Sequence, residues 1–306
     1  MFFPVLNSIG ILCIFMAIGY ICYKKGIIYG DGISVLSGLL VNVTFPLMIL
    51  VSMQREFELE LFKNGILLLF ITFGIHIFGI ISGVLLGKLF NVPLDQKGIW
   101  IFMMVFPNTA YMGIPVIGAM YGEEAVFYIA MCTVVFNILS FSLGVRILTS
   151  NDTTREKPKW SKLFLSPPII ATVLGFMMFC FSIKLPDTIL KAFTSMGNLT
   201  TPVSMLVIGA FLAQNDLKES LTSWKAYVVS AARLILMPLC IYAVFSPFIK
   251  NEIILGTLFM ITGMPAATIL AILSERHGQN SVEASRLVFL STVLSVITLP
   301  VLTLLL

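Results

Sequence analysis

Prolines and small polar residues interrupt two apolar segments of the sequence, one in each half of the chain. In the first half they are Pro107, Asn108, Thr109, Tyr111, Gly113 and Pro115, and in the second half Pro265, Ala266 and Thr268. A proline inside a helix removes a backbone hydrogen bond and frees a carbonyl group. Lipid cannot satisfy such groups, so these breaks survive where they face protein or a water-filled cavity. Two facing breaks aim helix N-termini at a shared point, and we predict a substrate site for an anion there.

A second group of polar residues repeats one spacing in two other apolar segments. Each segment carries the pattern Asn-x-Thr-x-Pro, which places Asn42 and Thr44 in the first half and Asn198 and Thr200 in the second. Leaving such groups unpaired in an apolar environment is costly. Two interpretations therefore stand: these side chains line a cavity opposite the proline breaks, or they form hydrogen bonds between helices.

Two ionisable residues also lie within apolar segments, where a charge is expensive and often functional. Arg233 can pair with a carboxylate substrate or act at the mouth of the pathway, or its charge can reach the nearby membrane interface. His76 is a candidate proton carrier because its charge changes near physiological pH, and a neutral donor between helices is the alternative. No Asp or Glu lies deep in these segments, so coupling to Na+ or H+ is undecided, and no cofactor is predicted.

The composition indicates what kind of element must carry these residues. Hydrophobic residues make up 58% of the chain and charged residues 11%, against about 25% charged in average soluble domains. Such a chain cannot cover itself with polar surface, so we predict an all-α integral membrane protein. The sequence has no zinc-protease, acid-pair or phosphate-loop pattern, which argues against an enzyme. No basic run with interleaved aromatics predicts nucleic-acid binding. The five cysteines all lie in apolar segments, none in the paired spacing of metal ligands, so they predict no metal site.

Charged clusters and turn residues divide the chain into ten apolar segments that are long enough to cross a membrane. The predicted spans are 2–23, 31–54, 61–87, 97–121, 124–146, 164–183, 187–213, 224–249, 253–274 and 281–306. They form two five-helix halves, residues 1–150 and 163–306, joined by a cytoplasmic linker at 151–162. An odd number of spans per half turns the second half upside down, so we predict inverted repeats with broken helices 4 and 9 in equivalent positions. Pro107 pairs with Pro265 in this register, and an alternative register pairs Gly113 and Pro115 with Gly263 and Pro265.

The orientation follows from the loops, which carry unequal numbers of Lys and Arg on the two sides. Cytoplasmic loops carry the excess. Both termini are therefore predicted to be extracytoplasmic, in a multi-pass protein of the cell membrane.

Residues 105–122, VFPNTAYMGIPVIGAMYG, resemble the fourth-helix signature of the auxin efflux carrier family, which includes plant PIN-type carriers and bacterial malate permease-like proteins. The C-terminal sequence from GMPAATILAIL onwards looks like the last two helices of that family. The resemblance covers the whole chain and implies two inverted five-helix repeats in a fold similar to bile acid sodium symporters. Helices 1, 2, 6 and 7 would form a scaffold, often dimeric. Helices 3–5 and 8–10 would form a transport domain with crossed helices 4 and 9 that moves as an elevator.

The resemblance also implies site residues and a substrate class. By motif, Pro107 and Asn108 take the family's first crossover positions and Pro265 takes the second. Plant members carry Gln after the second proline, whereas this chain has Ala266, and its middle loop is short, as in bacterial members. We therefore predict a homodimeric secondary active transporter of small organic anions, namely carboxylates such as malate or malonate, or auxin-like acids. A gated anion channel or a non-transporting membrane sensor with the same fold is the alternative.

Overall fold

The structure, a computed structural model, describes residues 2–29, 31–150, 165–213 and 223–306. Throughout these residues the regular elements are helices, and extended pairing is limited to one isolated bridge. This confirms the predicted all-α class, while the predicted linker at 151–162 lies outside the described residues. The helices are α1 (Phe2–Lys24), α2 (Gly32–Ser52), α3 (Leu59–Leu89), α4a (Leu94–Val105), α4b (Ile114–Tyr121), α5 (Glu124–Leu148), α6 (Pro167–Cys180), α7 (Asp187–Ala213), α8 (Trp224–Phe245), α9a (Glu252–Gly263), α9b (Ile269–Arg276) and α10 (Ser281–Leu305).

Several of these helices have the length and apolar composition of membrane spans. In the described chain six of them qualify, namely α2, α3, α5, α7, α8 and α10, and Gly10–Lys24 of α1, α6 and α9a are shorter apolar helices. Helix α3 has 31 residues, which is about 46 Å at a rise of 1.5 Å per residue. This exceeds the hydrocarbon core of about 30 Å, so α3 tilts or extends beyond that core.

Prolines explain local distortions in three helical segments. In each, a π-helical turn of five residues ends two residues before a proline: Leu40–Thr44 before Pro46, Thr109–Gly113 before Pro115, and Ala232–Leu236 before Pro238. A proline ring clashes with the carbonyl group four residues earlier. A π turn carries one extra residue and moves that carbonyl group out of register. The candidate residues Thr44, Thr109 and Arg233 therefore lie in distorted turns rather than in regular helix.

Helices α1 and α7 are in backbone contact. A Cβ atom at Gly19 would collide with the backbone of Leu206, and one at Gly209 would collide with the backbone of Met16. Small residues allow membrane helices to approach this closely. The contact joins a helix from the N-terminal half of the chain to one from the C-terminal half.

Helix α3 packs closely against the C-terminal part of α4a. A Cβ atom at Gly79 would lie 2.8 Å from the Cα atom of Val105, and one at Gly83 would lie 2.8 Å from the Cα atom of Ile101. Phe106, the next residue after α4a, is completely buried in the hydrophobic core. The core therefore surrounds the point at which α4a is interrupted.

Candidate functional site

Helices α4a and α9a both stop at proline-containing segments, and these two segments lie side by side. The backbone N–H of Asn108 donates to the Pro265 carbonyl oxygen over 2.8 Å, and the N–H of Ala267 donates to the Phe106 carbonyl oxygen over 3.0 Å. The two bonds form an isolated antiparallel bridge. Each break thus provides hydrogen-bond partners for backbone groups that the other break leaves unpaired. Buried backbone N–H and carbonyl groups need such partners.

The positions of the prolines fit this pairing. Pro107 and Ala266 are directly opposite each other and form a non-hydrogen-bonded pair. At such a pair a backbone N–H points away from the partner segment. Pro107 has no N–H to leave unpaired there, and Pro265 contributes only its carbonyl oxygen. The outward N–H of Ala266 donates to Ser291 Oγ over 3.1 Å, and that hydroxyl donates to the Leu287 carbonyl oxygen. Helix α10 therefore supports the second break.

Side chains join the two breaks as well. Asn108 Nδ2 donates to Thr268 Oγ1 over 3.0 Å, and both residues are almost completely buried. The N–H of buried Thr109 donates to the Pro107 carbonyl oxygen over 2.8 Å. The N–H of Gly113 donates to the Asn108 carbonyl oxygen over 3.0 Å, which begins the π turn. Asn108 is thus the last residue of one break and its link to the other.

The helix ends around this junction carry partial charges of known sign. The π turn that leads into α4b begins directly after Asn108, and α9b begins directly after Thr268. Free N–H groups and the helix dipole make each N-terminus attractive to anions. The N-termini of α4b and α9b therefore favour negative charge nearby, while the C-termini of α4a and α9a favour positive charge.

Arg233 lies at those two C-termini. Its Nη1 donates to the Met104 carbonyl oxygen over 3.0 Å, and its Nε donates to the Met264 carbonyl oxygen over 3.3 Å. The side chain is completely buried, so its charge does not reach the membrane interface. Nη2 has no hydrogen-bond partner among the described residues. The structure thus places Arg233 beside the junction, with two of its three nitrogens bound to backbone carbonyl groups.

His76 contacts the same region from α3. Its ring is 5.3 Å from the ring of Phe106, measured between centroids, and the residue is 2% exposed. Its Nδ1 is 2.7 Å from the Thr72 carbonyl oxygen. A carbonyl oxygen can only accept a hydrogen bond, so in the neutral ring Nδ1 carries the hydrogen and Nε2 is an acceptor. Nε2 has no partner among the described residues.

The two Asn-x-Thr pairs are not joined to the junction by any hydrogen bond within the described chain. Asn42 and Asn198 are exposed, and Asn42 Nδ2 donates to the Gly38 carbonyl oxygen of its own helix over 2.9 Å. Thr44 and Thr200 are completely buried, and their hydroxyl groups have no partner among the described residues. For Asn42, the contact is therefore within its helix rather than between helices.

Three more residues bear on the sequence-based predictions. The side chains of Tyr111 and Pro115 lie outside the described part of the structure. Ser291, which supports the second break, was not a candidate, because α10 carries several other serines and threonines and no spacing sets Ser291 apart. Ser291 acts through a hydrogen bond from the backbone N–H of Ala266, and no residue pattern in the sequence marks a backbone N–H that needs a partner.

The chain is similar to known membrane transport proteins. The family described as "Membrane transport protein" matches residues 4–303. An uncharacterized transporter of Methanocaldococcus jannaschii is 22% identical over 293 residues, which cover 94% of each chain. An uncharacterized transporter of Methanothermobacter thermautotrophicus is 26% identical over 302 residues, which cover 94% of this chain and 93% of the relative.

A further relative has a name that includes a substrate. A Rhizobium meliloti protein named "Putative malonate transporter" is 23% identical over 204 residues. The match covers 64% of this chain and 63% of the relative.

Proposed function

We propose that this chain, which belongs to the membrane transport protein family, is a secondary active transporter of small organic anions. Membership makes it a multi-pass membrane transport protein and not an enzyme. The observation that supports the finer proposal is the junction at which Asn108 donates to Thr268 and at which α4b and α9b begin. Two helix N-termini that start at one buried point form a site for negative charge.

A small carboxylate is the substrate class that we propose. A carboxylate accepts hydrogen bonds from N–H groups, and Asn108 and Thr109 add polar side chains at the same place. The name of the Rhizobium meliloti relative mentions malonate, which supports a short dicarboxylate such as malonate or malate over larger auxin-like acids.

The proposed architecture has ten membrane helices in two inverted repeats, residues 1–150 and 163–306. The paired breaks after α4a and α9a support this assignment, because they stand at equivalent places in the two halves. We propose that α1, α2, α6 and α7 form a dimeric scaffold, for which the close contact between Gly19 and α7 gives a rigid centre. The protein would lie in the cell membrane with both termini outside.

The remaining helices are proposed to move together as an elevator. Hydrogen bonds connect several of them directly: Arg233 of α8 binds carbonyl groups at the ends of α4a and α9a, and Ser291 of α10 binds the second break. His76 of α3 packs on Phe106. Helices that share buried polar bonds of this kind are costly to separate, so we expect them to move as one body across the scaffold.

Counterflow of labelled malonate into proteoliposomes that contain unlabelled malonate tests the function. Saturable exchange that malate inhibits, and that indole acetate inhibits less, is the expected result. Repeating the measurement with and without sodium, and with and without a pH gradient, identifies the coupling ion. An anion conductance that does not saturate would support a channel instead. No exchange by a monodisperse protein with any of these acids would support a non-transporting sensor.

A further inference from the structure

Arg233 is a buried cation whose charge must be offset by something other than an acid. The residue is completely buried, and within the described chain no salt bridge joins it to a carboxylate. Its guanidinium remains protonated under ordinary conditions. A buried ion without a partner costs several kcal/mol, so another source of negative potential must stabilise it.

Two helix C-termini supply that potential. Met104 lies in the last turn of α4a, and Met264 directly follows α9a. Each helix C-terminus carries about half a negative charge, so two of them together offset about one positive charge. The bonds of 3.0 Å and 3.3 Å place the guanidinium against both carbonyl groups. Arg233 is therefore neutralised by the two interrupted helices themselves.

The shape of the guanidinium adds a geometric constraint. It is planar and rigid, and Arg233 uses two different nitrogens for the two carbonyl groups. Binding through this fork fixes the separation and the angle between the ends of α4a and α9a. On the other side of each break the N-terminus of α4b or α9b begins, so the same bonds fix where those N-termini point.

We propose that Arg233 is a positioning residue, which holds the two helix breaks in register so that the N-termini of α4b and α9b converge on one anion site. Arg233 does not bind the substrate in this arrangement. The identity of the anion as a substrate rests on the proposed function. The bonds of Arg233 go to backbone carbonyl groups and involve no substrate. The competing role is a direct contact, for which only Nη2 lacks a partner among the described residues.

Engineered cross-linking measures the register of the breaks without measuring transport. Pro107 and Ala266 are directly opposite each other in an antiparallel bridge and exchange no hydrogen bond with each other. In such a pair the Cα atoms are typically about 4.5 Å apart. This distance is within the range of about 4.4–6.8 Å that a disulfide spans. The test protein carries Pro107→Cys and Ala266→Cys, with alanine at its natural cysteines, which are Cys13, Cys22, Cys132, Cys180 and Cys240.

Three changes at buried arginines are compared in this background, in membranes and without substrate. Arg233→Gln removes the charge, and we expect the oxidised fraction to fall severalfold. Arg233→Lys retains a charge but not the fork, and we expect an intermediate value. Arg286→Gln is the matched control, since Arg286 is also largely buried but pairs with Glu283 over 3.0 Å, and we expect it to match the parent. Equal cross-linking in all four proteins would overturn the proposal.

Transport by Arg233→Lys, with the natural residues at 107 and 266, separates positioning from direct contact. Positioning predicts a lower turnover, with the same order of preference among malonate, malate and acetate as in the parent. A contact predicts normal cross-linking with a raised half-saturating concentration for dicarboxylates only, and that pair of results would also overturn the proposal. If the parent transports none of these acids, the proposed function fails, while the cross-linking comparison still decides the role of Arg233.

Discussion

Asn108 and Thr268 are 160 residues apart in the chain, and a hydrogen bond of 3.0 Å from Nδ2 to Oγ1 joins them. Asn108 ends the first helix break, and Thr268 immediately precedes the helix that follows the second. The bond therefore lies between the two N-termini that we propose as the anion site. Changes at either residue act on the site with little effect on the lipid-facing surface, because both side chains are buried.

We expect Asn108→Ala to abolish malonate counterflow while expression and monodispersity remain as in the parent. The change removes the donor to Thr268 and leaves the backbone pairing with Pro265 intact. Asn64→Ala is a matched control, since Asn64 lies near the N-terminus of α3 and donates to Tyr128 of α5 rather than to a residue of the junction. Uptake by Asn108→Ala at the parent's rate would remove Asn108 from the site.

Thr268→Val should reduce counterflow without abolishing it. Valine has nearly the shape of threonine but no acceptor for Asn108 Nδ2, and an unpaired buried donor costs about 1–3 kcal/mol. The space that the side chain fills is nearly unchanged, but Asn108 loses the bond that orients it. Initial rates over a range of malonate concentrations measure the effect. A rate unchanged from that of the parent would mean that Asn108 needs no such orientation.

Ser291→Ala should lower the thermal stability of the protein in detergent. Its hydroxyl accepts a hydrogen bond from the N–H of Ala266 over 3.1 Å. Loss of the hydroxyl leaves this buried donor unpaired, at a cost of about 1–3 kcal/mol. Ser285→Ala is the control on the same helix, since its hydroxyl donates to the Ser281 carbonyl oxygen one turn earlier. The melting temperature of each variant is measured against the parent, and equal values for the two would contradict this role of Ser291.

Gly209→Ala should destabilise the contact between α1 and α7. The added Cβ would overlap the backbone of Met16, and forcing extra volume into a packed interface typically costs about 1–3 kcal/mol. Gly74→Ala is the control, because a Cβ at Gly74 would meet nothing within 4 Å; alanine also favours helix by up to about 1 kcal/mol. Opposite shifts in melting temperature are expected, and a gain in stability by Gly209→Ala would contradict close packing here.

His76→Gln tests whether His76 carries a coupling proton. If it does, uptake driven by a pH gradient will be lost, while exchange at equal pH on both sides will persist. Glutamine keeps a donor for the Thr72 carbonyl oxygen, which His76 Nδ1 now contacts over 2.7 Å. Gradient-driven uptake at the parent's level would give His76 the role of a neutral hydrogen-bond donor.

The sequence by itself determined the membrane class and the places where helices are interrupted. With 58% hydrophobic residues the chain cannot be stable as a soluble domain, and Pro107 and Pro265 lack the N–H that a continuous helix needs. These effects act locally or through composition, so they are readable in one sequence. The same holds for Asn108 as a polar residue next to a break.

Only the tertiary structure decided which groups meet. The sequence allows three roles for Arg233, and its contacts with the carbonyl groups of Met104 and Met264 belong to none of them. The contact between Ser291 and the N–H of Ala266 likewise follows from no residue pattern. Every residue has a backbone carbonyl group, and nearly every residue has an N–H group. Which of these groups is left unpaired, and which distant side chain reaches it, depends on how the helices pack and not on any residue pattern.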